Sequence, residues 1–124
     1  MGKKHFTHGR LKVFMTIILA VILIVLVVVC AKKIKLSQNE KNIIGTWKNS
    51  NSENVITVQD SDTLILYNDI PEAGLYHGNA SYHFSYTDTI CVTQDDISAE
   101  FCVDVDENQL IIYFAGQVYL VLQK

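Results

Sequence analysis

The stretch from Val13 to Ala31 constrains this chain more than any other, because it holds nineteen residues without a charge. At about 1.5 Å per residue a helix of this length spans roughly 28 Å, close to the hydrocarbon thickness of a bilayer. Only Thr16 interrupts the apolar run, and its hydroxyl has a helix carbonyl within reach. The stretch therefore predicts a single transmembrane helix over residues 13–31.

Basic residues flank this stretch on both sides, with four cations before it and three just after it. Counts so nearly equal do not set the orientation by themselves. A first spanning segment usually inserts with its short basic N-terminus inside, so residues 1–12 are predicted to be a basic cytoplasmic tail. Residues 32–42 then form a polar linker, and residues 43–124 form a domain outside the cytoplasm. The chain is therefore predicted to lie in the cell membrane and to cross it once.

Two other interpretations of the apolar stretch remain open. A cleavable signal peptide fits the small residues Val29-Cys30-Ala31, but its apolar region is normally shorter than this one. Lipid modification of Cys30 needs a small residue just before it, and Val27-Val28-Val29 matches that pattern poorly. We expect an uncut anchor in which Cys30 is a small apolar residue within the membrane.

The overall charge of −3 conceals a sharp division. All thirteen acidic residues lie between Glu40 and Glu107, and only three lysines share the region from residue 36 to the C-terminus, which gives it a net charge of −10. A domain this acidic repels phosphate backbones, so nucleic acid is excluded as a partner.

Beyond residue 42 the hydrophobic pattern has a period of two. Short runs rich in Val, Ile, Thr, Tyr and Phe alternate with turn-forming Asn, Asp, Ser and Gly, a pattern that predicts strands. Short connections predict an antiparallel meander, and closure into a small up-and-down barrel removes its two free edges. The eight predicted strands are 44–48, 54–59, 63–67, 80–86, 89–93, 99–105, 109–114 and 117–123.

One register of the fifth and sixth strands pairs Cys91 with Cys102 and Ile90 with Val103. It places the apolar residues on the inner face and both cysteines on the outer face, so we predict a cross-strand disulfide between Cys91 and Cys102. Two reduced thiols are the alternative. In the last hairpin, a three-residue turn 115–117 brings Val118, Leu120 and Leu122 to the inner face.

The segment Ile44-Gly45-Thr46-Trp47-Lys48 resembles the Gly-x-Trp opening strand of lipocalin-like proteins. The turn 59–63, the aromatic strand with Tyr82, Phe84 and Tyr86, and the closing hairpin are similar to the short bacterial members. The resemblance covers residues 43–124 and implies an up-and-down barrel with Trp47 plugging one end and a non-catalytic role. The domain is about half the length of a full lipocalin, and only Lys124 replaces the arginine that stacks on the tryptophan.

No constellation in the sequence indicates catalysis, a metal site or a cofactor. His77 and His83 lack a metal-ligand spacing on one element. No Gly-x-Ser-x-Gly is present, and no cysteine has an evident base partner. Asp104-x-Asp106-x-Asn108 imitates the start of a calcium loop, but Gln109 stands where the glycine belongs. We therefore expect a protein that is not an enzyme.

The loop 68–79 is the only connection long enough to do more than turn the chain. It holds Tyr76 and His77, and a bend at its glycines would bring them over the barrel mouth to meet Tyr82 and Tyr86. These four residues form the predicted ligand-binding site. The alternative is that Leu75 and Tyr76 simply plug the barrel.

Two functions fit these features. The first is a membrane-anchored extracytoplasmic module that binds a small ligand, a peptide or an envelope protein. The second is an accessory subunit of a membrane complex, in which the helix makes the specific contacts and the barrel is a structural cap. Small residues on the helix are few, which weakens the second.

Overall fold

The computed structural model describes the backbone of residues 2–124 and the side chains of residues 10–124. The chain divides into two compact units, the first ending at Ile34 and the second running from Lys35 to Lys124.

Helix α1 spans Gly2–Asn42. The apolar side chains of the run from Val13 to Val29 are exposed, and the helix is long and apolar enough to cross a membrane. Thr16 lies within the apolar run and donates its hydroxyl to the Lys12 carbonyl at 2.9 Å, so the run continues without an unpaired polar group.

Residues 32–42, predicted as a polar linker, continue α1. They contain no Gly or Pro and are rich in Lys, Leu, Gln and Glu, which favour helix. The end of the helix belongs to the second unit, where the Asn39 amide donates to the Thr87 carbonyl at 2.7 Å. Residues 35–42 of the predicted linker are therefore part of the barrel unit.

The second unit is a closed barrel of eight antiparallel strands, as predicted. Each strand pairs with the next along the chain, and β8 returns to β1 through the pair Lys48–Gln123. The strands are β1 Gly45–Lys48, β2 Asn54–Val58, β3 Thr63–Leu66, β4 Gly78–Tyr86, β5 Thr89–Gln94, β6 Ile97–Val105, β7 Gln109–Phe114 and β8 Gln117–Gln123.

Alternate residues of the strands build the core. The predicted inner face of β5 and β6 is confirmed by the burial of Ile90 and Val103. The other buried residues of β5, β6 and β7 are Val92, Phe101, Val105, Leu110 and Ile112. Trp47 is fully buried, and its indole N–H donates to the Ile43 carbonyl at 2.8 Å. It plugs the end of the barrel beside Ile43.

The predicted register of β5 and β6 is wrong by two residues. Cys91 lies opposite Glu100, and Ile90 lies opposite Phe101. The cause is the turn, which holds only Asp95 and Asp96, with Asp95 in the left-handed region at φ 54°. A shift of two residues preserves the faces but separates the cysteines. Cys91 and Cys102 are therefore free thiols, and the predicted disulfide is absent.

The last hairpin differs in a similar way. Its turn has two residues, Ala115 and Gly116, which both adopt positive φ, at 53° and 78°. An irregularity at Tyr119 then restores the register, so Leu120 and Leu122 face inward. Val118 lies before the irregularity and is exposed, contrary to prediction.

Candidate functional site

The barrel interior is almost completely filled. The remaining cavity has a volume of about 20 Å³ and is lined by apolar side chains together with Tyr82 and Tyr119. This is room for about one water molecule. The interior therefore offers no space for a small-molecule ligand.

The end of the barrel opposite Trp47 is closed by residues 67–77, which we call the cap loop. Ile70 and Leu75 exchange two backbone hydrogen bonds, at 2.8 and 3.1 Å. A short 3-10 turn at Pro71–Ala73 and Gly74 at φ 75° reverse the chain between them. Ile70 is buried and Leu75 is 0% exposed, so these two side chains plug the barrel.

Tyr76 points away from this plug and is 56% exposed. Its backbone is held by the side chain of Gln94 on β5. The Tyr76 N–H donates to Gln94 Oε1 at 2.8 Å, and Gln94 Nε2 donates to the Tyr76 carbonyl at 2.7 Å. The amide of Gln94 thus pairs with the loop as a neighbouring strand would, which holds the backbone that carries the tyrosine.

His77 is exposed beside Tyr76 and is held by Asp69. Asp69 Oδ1 accepts the His77 backbone N–H at 2.9 Å and lies 2.7 Å from His77 Nδ1. The backbone hydrogen bond, and then the side-chain hydrogen bond, lower the pKa of Asp69 below its ordinary value. The carboxylate therefore stays charged and keeps the imidazole in place.

A third contact ties the cap loop to β8. The Tyr119 hydroxyl donates to Glu72 Oε2 at 2.9 Å. Burial, and then the hydrogen bond to Glu72, raise the pKa of Tyr119, so the phenol remains a donor. With Gln94 and Asp69, this bond braces the loop at three points.

The predicted site is not assembled as expected. Tyr76 and His77 lie together at the capped end, whereas Tyr86 ends β4 at the opposite end and is 70% exposed. Tyr82 is buried in the barrel wall, where its hydroxyl donates to the Gln59 carbonyl at 3.2 Å. The cause is the length of β4: eight steps of about 3.3 Å carry the chain away from the loop.

The structure adds residues that the sequence did not indicate. Gln94 holds the backbone of Tyr76, and Asp69 holds the backbone and the imidazole of His77. Ile97 lies exposed at the same end, beside Gly74. We call Tyr76, His77 and Ile97 the cap surface. No local pattern could have found Gln94, since it lies 18 residues from Tyr76 in the chain.

A second concave surface lies at the other end. A groove of about 460 Å³ runs between the end of α1 and the β2–β3 turn, and Glu40, Asp60 and Asp62 contribute to its lining. Tyr82 also lines the groove, and its pKa is raised first by burial and then by these three carboxylates. Among the residues whose side chains the structure describes, no group of three or more metal-ligating side chains lies together.

Comparison of the chain with known protein families, with curated proteins and with solved structures found no match.

Proposed function

We propose that this protein is a membrane-anchored, extracytoplasmic, non-catalytic binding module that engages a peptide or an envelope protein through the cap surface. The observation that carries the proposal is the contrast between a filled barrel and a braced, exposed loop. Ile70 and Leu75 close the interior, and Tyr76 and His77 stand outside it. The filled interior argues against a small ligand inside the barrel.

The chemistry of the cap surface suits protein recognition. Tyrosine is enriched among the residues that dominate binding energy, because its large side chain has few rotatable bonds. Gln94 and Asp69 already hold the backbone around Tyr76 and His77. Less conformational entropy is then lost when a partner binds.

The proposed anchoring and orientation rest on the N-terminal helix. Helix α1 has the length and hydropathy for a span, and the basic residues before its apolar run favour a cytoplasmic N-terminus. A lipocalin-like relationship also stays a hypothesis. It is supported by the eight-stranded barrel and by the contact of Lys124 with the buried Trp47.

The test is surface crosslinking on intact cells that carry the full chain. Replacing Tyr76 and His77 together by Ala should leave the barrel folded and remove the crosslinked partner. Tyr86→Ala is the matched control, because it removes an exposed tyrosine at the opposite end. A double variant that keeps every crosslink of the parent contradicts the cap surface as the site.

Leu75→Ala distinguishes the plug from the binding surface. Truncating this fully buried leucine should lower the free energy of unfolding by about 2–5 kcal/mol. Tyr76→Ala should change it by no more than about 0.5 kcal/mol, as exposed positions do. Both values come from denaturant unfolding followed by the fluorescence of Trp47, the only tryptophan.

Replacement of residues 13–31 by an unrelated spanning helix separates the binding module from the accessory subunit. The crosslinks of a binding module survive the exchange, and those of a subunit that binds through its helix are lost.

A further inference from the structure

The barrel is closed by a single residue pair. Lys48–Gln123 is the only pair that joins β1 to β8, since β1 has four residues and β8 has seven. The other neighbouring strands share three or more pairs. Residues Gln117–Leu122 therefore have β7 on one side and no strand on the other. We call this open side the β8 edge.

The backbone of Val121 points toward the open side. The Lys124 N–H donates to the Asn108 carbonyl at 3.1 Å, in the same register that pairs Leu122 with Leu110. Antiparallel strands alternate residues that bond to one neighbour with residues that face away from it. Val121 falls in the second set, so its N–H and C=O are directed at the β8 edge.

The side chains along this edge do not protect it. Natural edge strands usually carry charges or proline, which block pairing with another chain. From Gln117 to Gln123 the strand has neither, and only the irregularity at Tyr119 interrupts it. Val118 is 58% exposed and Val121 is 49% exposed.

The inner residues beside this edge are also incompletely covered. Leu120 faces the core but is only half-buried, whereas Leu122, next to the Lys48–Gln123 closure, is buried. An added strand along the β8 edge would shield Leu120 and complete the sheet.

We propose that the β8 edge binds an extended, cationic segment of a partner protein as an added β-strand. Strand addition supplies main-chain hydrogen bonds for affinity, and the alternate side chains supply specificity. Charge selects the occupant: residues 36–124 carry −10, so a cationic segment is attracted and a second copy of this domain is repelled. The open edge accommodates about four to six residues, or roughly 13–20 Å.

This inference rests on the proposed binding function but uses a surface separate from Tyr76 and His77. The two are distinguishable, because the Tyr76, His77 double variant should bind a strand peptide within about twofold of the parent. A loss of cell-surface partners in that variant tests only the cap surface.

The experiment uses the ¹⁵N-labelled full chain in lipid nanodiscs and a synthetic heptapeptide, Lys-Val-Thr-Val-Thr-Val-Lys, with blocked ends. We expect the amide resonances of residues 117–123 to shift and the exchange of the Val121 amide to slow at least tenfold. Methylation of alternate peptide nitrogens, on the set that faces β8, should weaken binding at least tenfold. Replacing both terminal lysines of the peptide with glutamate should also weaken binding at least tenfold.

Val121→Pro tests the edge from the protein side. It removes the N–H that is directed at the open side, a position where strands tolerate proline. The variant should weaken peptide binding at least tenfold, and Val121→Thr, which keeps the N–H and the branched side chain, should stay within twofold. The methylated peptides need no variant, so the test survives if Val121→Pro does not fold.

Three outcomes overturn the proposal. They are the absence of binding at millimolar peptide, binding that is indifferent to nitrogen methylation, and resonance shifts that map away from β8. Protection of the Val121 amide that grows with protein concentration alone would instead assign the edge to a second copy of the chain.

Discussion

At the scale of single residues, Lys124 secures the end of the barrel that Trp47 plugs. The Lys124 ammonium lies 5.1 Å from the centroid of the Trp47 ring and donates to the Asn42 carbonyl at 3.1 Å. A cation over an indole is worth about 0.5–1 kcal/mol at exposed sites. Gly45 leaves room for this side chain, because a Cβ there would lie 2.5 Å from Lys124 Cε.

Gly45→Ala is expected to lower the free energy of unfolding by about 1–3 kcal/mol, because φ is +138° at this position. Gly78→Ala is the matched control, since its φ is +123° but nothing lies near the added methyl group. The loss at Gly45 should exceed the loss at Gly78, and the excess should vanish in a Lys124→Ala background. Equal losses in denaturant unfolding would contradict a role for Lys124 packing.

Asp69 is expected to titrate below 3.8, its ordinary pKa, because the backbone and side chain of His77 donate to it. Because the pKa of Asp69 is lower in the folded state, the charged carboxylate stabilises the cap loop at pH values above the pKa of the unfolded chain. This stability is lost as the pH falls through the pKa of the folded state. His77→Ala should return the pKa of Asp69 only part of the way, since the larger contribution comes from the backbone N–H.

Carbon-13 NMR of the carboxyl groups measures this titration, with Asp106 as the internal control. The pKa of Asp106 is lowered by the backbone N–H groups of Asn108 and Gln109, so His77→Ala should leave it unchanged. An Asp69 pKa that returns fully to 3.8 in the variant would show that the imidazole alone holds the carboxylate.

At the scale of elements, the two-residue turns decide which side chains meet. The turn Asp95–Asp96 is shorter than the connection predicted between β5 and β6, so β6 begins earlier and every pair shifts by two. The turn Ala115–Gly116 is also one residue shorter than predicted, and the irregularity at Tyr119 compensates for it. An even shift in register leaves each side chain on the same face of the sheet, but it changes the residue that lies opposite.

Free thiols are the measurable result of the β5–β6 register. Cys91 and Cys102 should both take up an alkylating reagent without reductant, with exposed Cys102 reacting before half-buried Cys91. Intact-mass analysis of the full chain in nanodiscs follows the labelling, and Cys91→Ser and Cys102→Ser assign each addition. Labelling of either residue only after reduction would contradict this register.

At the scale of the whole molecule, an apolar helix is joined in sequence to an acidic domain. The basic residues before and after the apolar run and the net charge of −10 beyond residue 35 divide the chain into regions of opposite charge. Helix α1 does not stop where the apolar run stops, and its final turns are built into the barrel unit through Asn39.

In the proposed orientation, residues 43–124 lie outside the cytoplasm, so protease added to intact cells or spheroplasts should remove them. A tag on residues 1–12 should be protected until the membrane is opened, which makes the N-terminal segment the control. Digestion of the domain only after the membrane is opened would reverse the orientation.

Much of the fold follows from local pattern. The period of two after residue 42 places all eight strands within a few residues of their observed bounds, because inward and outward side chains alternate along each strand. The apolar run from Val13 to Ala31 likewise predicts a helix apolar enough to span a membrane, since composition alone decides that property. Trp47 is buried, as the Gly-x-Trp resemblance implied.

Only the tertiary structure determined the contacts between residues that are far apart in the sequence. Gln94 holds Tyr76, and Tyr119 holds Glu72 from 47 residues away, so no local pattern reveals the braces of the cap loop. The separation of Tyr86 from Tyr76, and the open edge of β8, follow from strand lengths and barrel closure. Alternation specifies which face a residue occupies, and only the three-dimensional pairing of strands specifies its neighbours.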